Sequence, residues 1–336
     1  MSHDILYKIL SKLTLKNIIT FLDSSKEYED IKQIIITKLK RICDENEEKI
    51  NNLINDILND ITKNNKDNKY IKNLKKFKKK FIINYENAYI LNWDSKKIYI
   101  DSLDLKNYGF TSLPESFGNL VIGGYLNLGE NKLKSLPESF GNLVIGGDLN
   151  LSENELTSLP ESFGNLDIKG SLDLGWNKLT SSLPESFGEI KIGGFLNLSD
   201  NQLTSLPESF GRLKLRGILE LSDNQITSLP ESFGNIEIRD SLYIYRNKLK
   251  SLPESFGNIE IGGSLYLINN ELETLPESFG RLNLEDLDLS HNKLRTLPES
   301  FASITIRGYL CLVDNKLRTL PESVVRRLKK LDRFMF

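Results

Sequence analysis

Hydrophobic and polar residues alternate in short segments that recur about every 23 residues after position 100. Each segment holds two apolar residues with one variable residue between them, as in Leu149 and Leu151. Alternation with period two places both leucines on one face of a β-strand and the variable residue on the other. The pairs begin at Leu103, Leu126, Leu149, Leu172, Leu196, Leu219, Leu242, Leu265, Leu287 and Leu310. We therefore predict ten stacked strands with a leucine-lined core.

Two further residue types recur between these strands. An asparagine follows each pair from the second unit onward, and its amide can donate and accept hydrogen bonds where the backbone leaves the strand. A phenylalanine follows nine of the ten copies of L-P-E-S, and rings at equal positions of stacked units would form a spine. The asparagines are Asn131, Asn154, Asn177, Asn201, Asn224, Asn247, Asn270, Asn292 and Asn315. The phenylalanines are Phe117, Phe140, Phe163, Phe187, Phe210, Phe233, Phe256, Phe279 and Phe301.

Proline and glycine limit the rest of each unit to short pieces. All ten prolines lie in L-P-E-S, and a glycine follows each phenylalanine except where Ala302 replaces it. Both residue types interrupt helices, which predicts short turns and extended pieces on the convex side. Another glycine precedes the alternating pair, as Gly147 precedes Leu149, and indicates a bend between a convex strand and the concave strand.

The run L-x-L-x-x-N-x-L resembles the leucine-rich repeat family over about residues 100–325. This resemblance implies an α/β solenoid, a curved array with parallel strands on its concave face. One departure is that the apolar residue before L-x-L stands four positions earlier rather than the usual three, as with Ile145 before Leu149. We expect a junction and first repeat over residues 81–108 and the array over residues 109–322.

The N-terminal part is predicted to be helical over residues 1–80. No glycine or proline occurs before position 109, and apolar residues recur there at helical spacing. Residues 4–31 also resemble an F-box, although the usual proline is missing and Tyr28 replaces a tryptophan. That resemblance implies a Skp-type adaptor bound through Ile5, Leu6, Ile9, Leu10, Leu13 and Ile18. The alternative is a small helical cap over the open end of the array, and helical spacing fits both.

A basic run from Lys63 to Lys80 contains nine lysines and one aspartate. Tyr70, Ile71 and Leu74 interleave it at near-helical spacing. One interpretation is a nuclear-import or nucleic-acid patch. The other is a solvated helix face whose apolar stripe packs against neighbouring residues.

The C-terminal residues 323–336 are predicted to form a capping helix. Val325, Leu328, Leu331 and Met335 recur at helical spacing, with arginines and lysines between them. Such a helix would cover the exposed last strand of a solenoid. A basic amphipathic helix could alternatively contact a membrane surface or an acidic partner.

Charge and composition narrow the class of protein. The formal net charge of −2 argues against nucleic-acid binding by the whole chain, although residues 1–100 carry 20 Lys and Arg against 14 Asp and Glu. Two cysteines, Cys43 and Cys311, exclude a disulfide framework. We find no secretion signal and no apolar run of the roughly 20 residues that span a bilayer. We therefore expect an intracellular, cytoplasmic and non-secreted protein.

Residues for catalysis are sparse. His3 and His291 are the only histidines, and the sequence contains no phosphate-binding glycine loop, dinucleotide-binding motif or nucleophile elbow. No cysteine and histidine spacing suits zinc. We expect no enzymatic activity, no cofactor, no metal and no small-molecule substrate.

Binding residues are sought where the units differ from one another, at the positions that flank L-x-L and point to the concave face, starting with the variable position between the two leucines. In order these residues are Asn127, Asn150, Asp173, Asn197, Glu220, Tyr243, Tyr266, Asp288 and Cys311. Tyrosine and arginine anchor many protein interfaces, and they cluster on two neighbouring strands. The predicted partner-binding residues are Tyr243, Tyr245, Arg246, Tyr266 and Ile268.

The resulting functional hypothesis is a non-enzymatic scaffold that binds a protein partner on the concave face. A substrate receptor of a cullin-based ubiquitin ligase is the first alternative, since the F-box resemblance implies that role. Nucleic-acid or membrane contact through Lys63–Lys80 is the second.

Overall fold

A computed structural model describes residues 48–49, 52–53, 55–56, 97–180, 183–328 and 334–335. The predicted adaptor-binding residues, from Ile5 to Ile18, and the Lys63–Lys80 run lie outside the described residues. The described residues between 48 and 56 are helical, and Leu53 is buried in the same apolar cluster as the array. Asp56 accepts a hydrogen bond of 2.9 Å from the Ser116 hydroxyl of the first L-P-E-S. This part of the N-terminal segment therefore packs against the first unit.

One parallel sheet of eleven strands runs along the array, and every strand pairs in register with the next. Its strands are Leu103–Asp104, Leu126–Asn127, Leu149–Asn150, Leu172–Asp173, Leu196–Asn197, Leu219–Glu220, Leu242–Tyr243, Leu265–Tyr266, Leu287–Asp288, Leu310–Cys311 and Phe334–Met335. The predicted leucines are fully buried, as Leu149 and Leu151 show. We call the outward-facing residues of this sheet the concave face.

The opposite side of each unit consists of short pieces, as the prolines and glycines predict. Each of the first nine L-P-E-S segments leads into a five-residue 3-10 helix: Glu115–Asn119, Glu138–Asn142, Glu161–Asn165, Glu185–Glu189, Glu208–Arg212, Glu231–Asn235, Glu254–Asn258, Glu277–Arg281 and Glu299–Ser303. A second ladder of parallel strands begins with Ile98–Ile100 and continues with one strand after each of these helices: Leu120–Ile122, Val144–Ile145, Asp167–Ile168, Lys191–Ile192, Lys214–Leu215, Glu237–Ile238, Glu260–Ile261, Asn283–Leu284 and Thr305–Ile306. These strands form separate sheets of five, three and two strands.

The asparagines bind the backbone of two consecutive units, as predicted. Asn154 accepts a 3.0 Å hydrogen bond from the Leu133 N–H group and donates one of 3.0 Å to the Leu128 carbonyl. It also donates to the Leu151 carbonyl of its own unit, at 3.1 Å. Each amide thus satisfies buried backbone groups where the strand ends.

The phenylalanines form the predicted spine. All nine are fully buried. Neighbouring rings lie nearly parallel, with centroids 6.0 to 6.3 Å apart. The rings stack because identical units repeat along one axis, which places equal side chains at equal positions.

A bend joins the second ladder to the concave sheet, and glycines occupy it for a steric reason. A Cβ atom on Gly146 would lie 2.1 Å from the Gly123 carbonyl oxygen of the preceding unit, and one on Gly147 would lie 2.9 Å from the Gly124 carbonyl carbon. Neither residue needs a left-handed backbone. The close approach of successive units therefore explains these glycines.

The C-terminal end combines a helix with a strand. The helix Glu322–Leu328 packs on the last unit, and Val324 is fully buried. The predicted capping helix over residues 323–336 does not reach Met335, because Phe334–Met335 is a strand that pairs with Leu310–Cys311. The Met335 carbonyl accepts a 2.9 Å hydrogen bond from the Leu312 N–H group. The strand supplies partners that the exposed sheet edge would otherwise lack.

Candidate functional site: the concave face

Three rows of side chains form the concave face. The central row is the variable residue of each L-x-L. The other two rows are the residue directly before the first leucine and the residue directly after the second leucine, since alternate residues of a strand share a face. In-register pairing places Glu220 beside Tyr243 and Tyr243 beside Tyr266. Side chains distant in sequence therefore become neighbours along each row.

The structure brings three of the predicted tyrosines together. The rings of Tyr243 and Tyr266 stack with centroids 4.9 Å apart and an angle of 6° between their planes. Tyr245 meets Tyr243 edge to face at 6.5 Å. Burial raises the pKa of both the Tyr243 and Tyr245 hydroxyls, and the neighbouring Tyr266 adds to the effect on Tyr243. The Tyr243 and Tyr245 hydroxyls are therefore uncharged at neutral pH.

The other two predicted residues lie at the margin of this cluster. Arg246 is exposed, and its guanidinium Nη1 lies 3.4 Å from the Asp223 carboxylate. Its backbone is left-handed, with φ of 51°. Ile268 is half-buried on the next strand, where its carbonyl accepts a 2.9 Å hydrogen bond from the Arg246 N–H group.

Tyr309 extends the aromatic cluster, and the sequence reasoning missed it. It directly precedes Leu310, so alternation alone would have placed it on the concave face. Burial, and then the neighbouring Tyr266, raise the pKa of its hydroxyl well above the usual range. Asp288 and Cys311 are buried rather than exposed, with Tyr309 near Asp288 and the C-terminal strand beside Cys311.

The first half of the concave face has a different character. Asp173 and Glu220 are half-buried, and burial raises the pKa of both carboxyl groups. Burial and the nearby Asp223 also raise the pKa of Asp200. These carboxylates are thus held in a partly desolvated and negatively charged setting.

Exposed aromatic side chains stand among these carboxylates. Tyr125 is 46% exposed, Phe195 is 42% exposed and Trp176 is 63% exposed. A shallow depression of about 240 Å³ lies between Tyr125 and Phe195 and is also lined by Asp148 and Asp173. Sequence reasoning missed all three aromatics because it placed the candidate site on the two strands that carry Tyr243 and Tyr266. Tyr125 and Phe195 precede L-x-L, and Trp176 precedes the repeated asparagine.

The described residues lack two kinds of functional feature, a metal-binding cluster and a membrane-spanning helix. These residues contain no cluster of histidine, cysteine, aspartate or glutamate that could hold a metal ion. Within the same described ranges, no helix is both long and apolar enough to cross a bilayer.

The repeat units of this chain match a known family of repeats. The family model described as Leucine Rich Repeat matches residues 148–166, 171–190, 195–213, 218–236 and 283–304. None of the curated protein sequences compared with the chain matches it.

Solved structures of several leucine-rich repeat proteins are similar. A leucine-rich repeat protein of Leptospira interrogans is 28% identical with a TM-score of 0.42, covering 70% of this chain and 72% of that one. YopM of Yersinia enterocolitica is 26% identical with a TM-score of 0.42, covering 66% and 48%. The ectodomain of the Arabidopsis thaliana receptor kinase GASSHO1/SCHENGEN3, solved in complex with CASPARIAN STRIP INTEGRITY FACTOR 2, is 24% identical with a TM-score of 0.49, covering 70% and 32%.

The matched region spans less than half of the YopM chain and about a third of the plant ectodomain. Inside this chain, the matched repeats coincide with the stacked strands, 3-10 helices and asparagine hydrogen bonds described above. The described body of this protein is a leucine-rich repeat solenoid, the fold of a protein-interaction scaffold.

Proposed function

We propose that this protein is a non-enzymatic scaffold that binds a protein partner through its concave face. Tyr243, Tyr245 and Tyr266 form the centre of the proposed patch, and Arg246 and Ile268 form its margin. The stacked pair Tyr243 and Tyr266, with Tyr245 edge-on against it, is the observation that carries the proposal.

The cluster has the properties of an interface anchor. Tyrosine offers a large apolar area and a hydrogen-bonding hydroxyl while having few rotatable bonds. Stacking between neighbouring strands fixes the Tyr243 and Tyr266 rings before a partner arrives. Less side-chain freedom is then lost on binding, which favours affinity.

Arg246 is suited to contact a partner from the rim. Its ion pair with Asp223 joins two side chains that are 63% and 28% exposed, and such surface pairs contribute about 0–1 kcal/mol. The guanidinium can therefore exchange Asp223 for a carboxylate of the partner at little cost. A buried ion pair would not allow this exchange.

The test is partner recovery with a double variant. The full chain is used as bait in a pull-down, and each recovered protein is compared between wild type and Y243A/Y266A. We expect the specific partner to be lost, because a buried aromatic anchor contributes about 2 kcal/mol or more to binding. Thermal unfolding of both proteins shows that the array is intact.

Two control variants sharpen this test. Y243F/Y266F keeps both rings and removes the hydroxyls, so it separates packing from hydrogen bonding. V144A removes a side chain that is 50% exposed on the second ladder and should leave recovery unchanged. Equal recovery by wild type and Y243A/Y266A would contradict the proposed patch.

A ubiquitin-ligase receptor is the second candidate, favoured by the F-box resemblance of residues 4–31. In that role Ile5, Leu6 and Ile9 would contact a Skp-type adaptor while the array holds the substrate. Co-purification of a Skp-type adaptor with the full chain, compared with I5D/L6D/I9D, tests it. Absence of adaptor from the wild-type preparation removes this candidate and leaves the scaffold proposal intact.

A further inference from the structure

The first half of the concave face has its own chemistry, and we define it as the acidic groove. It consists of the outward residues on the strands from Leu126–Asn127 to Leu219–Glu220, with the exposed turn that follows each strand. We propose that the acidic groove binds an extended basic segment of a protein partner, with one lysine or arginine side chain in the depression between Tyr125 and Phe195. This inference rests on the proposed function, because it names the chemistry of the partner.

Charge is the first observation in its favour. The three outward rows and the turn row between Tyr125 and Asp223 contain no lysine and no arginine. They contain seven carboxylates, of which the two at the ends, Glu130 and Asp223, pair with Lys106 and Arg246. The other five are Asp148, Glu153, Asp173, Asp200 and Glu220. The chain as a whole has nearly balanced charge, so this concentration is local. A negative groove attracts cations and disfavours nucleic acids.

Two of these carboxylates line the depression and leave an oxygen available. The Asp173 Oδ1 atom accepts hydrogen bonds from the Gly175 N–H group at 3.0 Å and from the Asn197 amide at 2.9 Å. The Asp148 Oδ1 atom accepts one of 2.7 Å from the Ser171 N–H group. Within the described ranges, neither carboxylate forms an ion pair with a lysine or arginine.

These hydrogen bonds fix the carboxylates in place. The raised pKa of Asp173, caused first by burial, reflects a charge that is partly desolvated without a compensating cation. A cationic side chain from a partner would supply that compensation. Preorganised carboxylates therefore face the space in which the cation would lie.

Exposed aromatics provide an independent observation. Of the five large apolar side chains that are well exposed in the described part of the chain, Tyr125, Trp176 and Phe195 all lie in the acidic groove. Aromatic faces attract lysine and arginine through cation–π contacts and cover the apolar stems of these side chains. Carboxylates between aromatic rings match both parts of a basic side chain, its charge and its stem.

The spacing of the strands sets the length of the segment. Tyr125 and Phe195 are three strands apart, or roughly 14 Å at a strand spacing of about 4.8 Å. An extended segment crossing the strands advances about 6.6 Å for every second residue. One side chain would then face the depression while the residues two before and two after it approach Tyr125 and Phe195. We therefore infer a basic residue flanked at those positions by residues that contact aromatic rings.

The test uses a defined peptide with the full chain. The probe is a fluorescein-labelled peptide of nine alternating serine and lysine residues, and the control peptide has every lysine acetylated, which removes the charge. Fluorescence anisotropy follows binding to wild type, D148N/D173N and Y125A/F195A. A matched control, E231Q/E254Q, removes the same charge from two exposed carboxylates in the L-P-E-S segments.

We expect the lysine peptide to bind wild type and E231Q/E254Q alike. D148N/D173N should bind it about tenfold more weakly, because both charge contacts of the depression are removed. Y125A/F195A should also bind it more weakly, and rising salt should weaken wild-type binding. Equal binding of the acetylated peptide, or equal affinities of D148N/D173N and E231Q/E254Q, would overturn the inference.

Partner recovery separates the two proposals. Loss of the cellular partner with Y243A/Y266A but not with D148N/D173N would support the proposed function and refute the acidic groove. Loss with D148N/D173N alone would refute the tyrosine patch and support the groove. Loss with both would support a single partner that lies along the whole concave face.

Discussion

The phenylalanine spine makes a quantitative prediction about how the units are coupled. Phe187 is fully buried, and its ring stacks on Phe210 with centroids 6.0 Å apart. Replacing either phenylalanine with leucine keeps most of the apolar volume but removes the ring. We expect F187L and F210L each to lower the free energy of unfolding by about 1–3 kcal/mol.

The adjacent double variant should cost less than the sum of the two single variants. The first substitution already removes the ring–ring contact, so the second cannot remove it again. Such aromatic pairs contribute about 0.5–1.5 kcal/mol beyond burial. The cost of F187L/F210L should therefore be smaller than the summed costs of F187L and F210L by this amount. Phe187 and Phe256 are separated by three ring spacings of 6.0, 6.2 and 6.0 Å, beyond the range of direct coupling. The costs of F187L and F256L should therefore add.

Urea denaturation of the wild type, the three single variants and the two double variants measures both couplings. The comparison is internal, because the same substitution is used at every position. If F187L/F210L costs the sum of its parts within about 0.3 kcal/mol, as F187L/F256L should, stacking does not couple the units. The rings would then stabilise the solenoid through burial alone.

Three further predictions concern the glycine bend, the asparagines and the acidic groove. G146A should destabilise the fold by about 1–3 kcal/mol because its Cβ would lie 2.1 Å from the Gly123 carbonyl oxygen, whereas G123A, whose nearest contact is 3.6 Å, should be nearly neutral in thermal unfolding. N154A leaves the Leu133 N–H group without its partner, while the Leu128 and Leu151 carbonyls each keep a second asparagine donor, so it should cost about 1–3 kcal/mol in urea denaturation; N142A, on an exposed side chain, should change stability by less than about 0.5 kcal/mol. Burial raises the folded-state pKa of Asp173 above its unfolded value of about 3.8. Between these two pKa values the folded protein binds more protons than the unfolded protein, so stability falls as the pH rises from the unfolded pKa through the folded pKa. D173N should thus raise the melting temperature at pH 7 but not below about pH 3, and an equal shift at both values would contradict this reasoning.

The repeat features that the sequence predicted are those that every unit shares. Leu149 and Leu151, Asn154 and Phe163 recur at fixed spacing, and stacking of equal units allows only a few arrangements for them. The spine and the asparagine hydrogen bonds could therefore be predicted from periodicity. The reason for Gly146 could not, because it depends on the distance between the backbones of two units.

The proximity of candidate-site residues could be predicted where strand register alone decides it. Tyr243 and Tyr266 occupy the same position of adjacent strands, so their proximity follows from pairing. Trp176 was missed because the candidate site was placed on the two strands that carry Tyr243 and Tyr266, although Trp176 occupies the same left-handed turn position as the predicted Arg246, with φ of 55° against 51°. The strand at Met335 was also missed, since helical spacing of apolar residues cannot show that a sheet edge needs a partner.

The concave face is free to vary because other parts of each unit hold the fold together. The asparagine hydrogen bonds and the phenylalanine spine both lie behind the concave sheet. Partly buried carboxylates such as Asp173 and Glu220 oppose stability, as the raised pKa of each group shows. Natural proteins retain destabilising groups of this kind where they contribute to function. Substitutions that neutralise the acidic groove should therefore stabilise the solenoid and weaken its binding to a basic segment, whereas substitutions in the spine should lower stability and binding together.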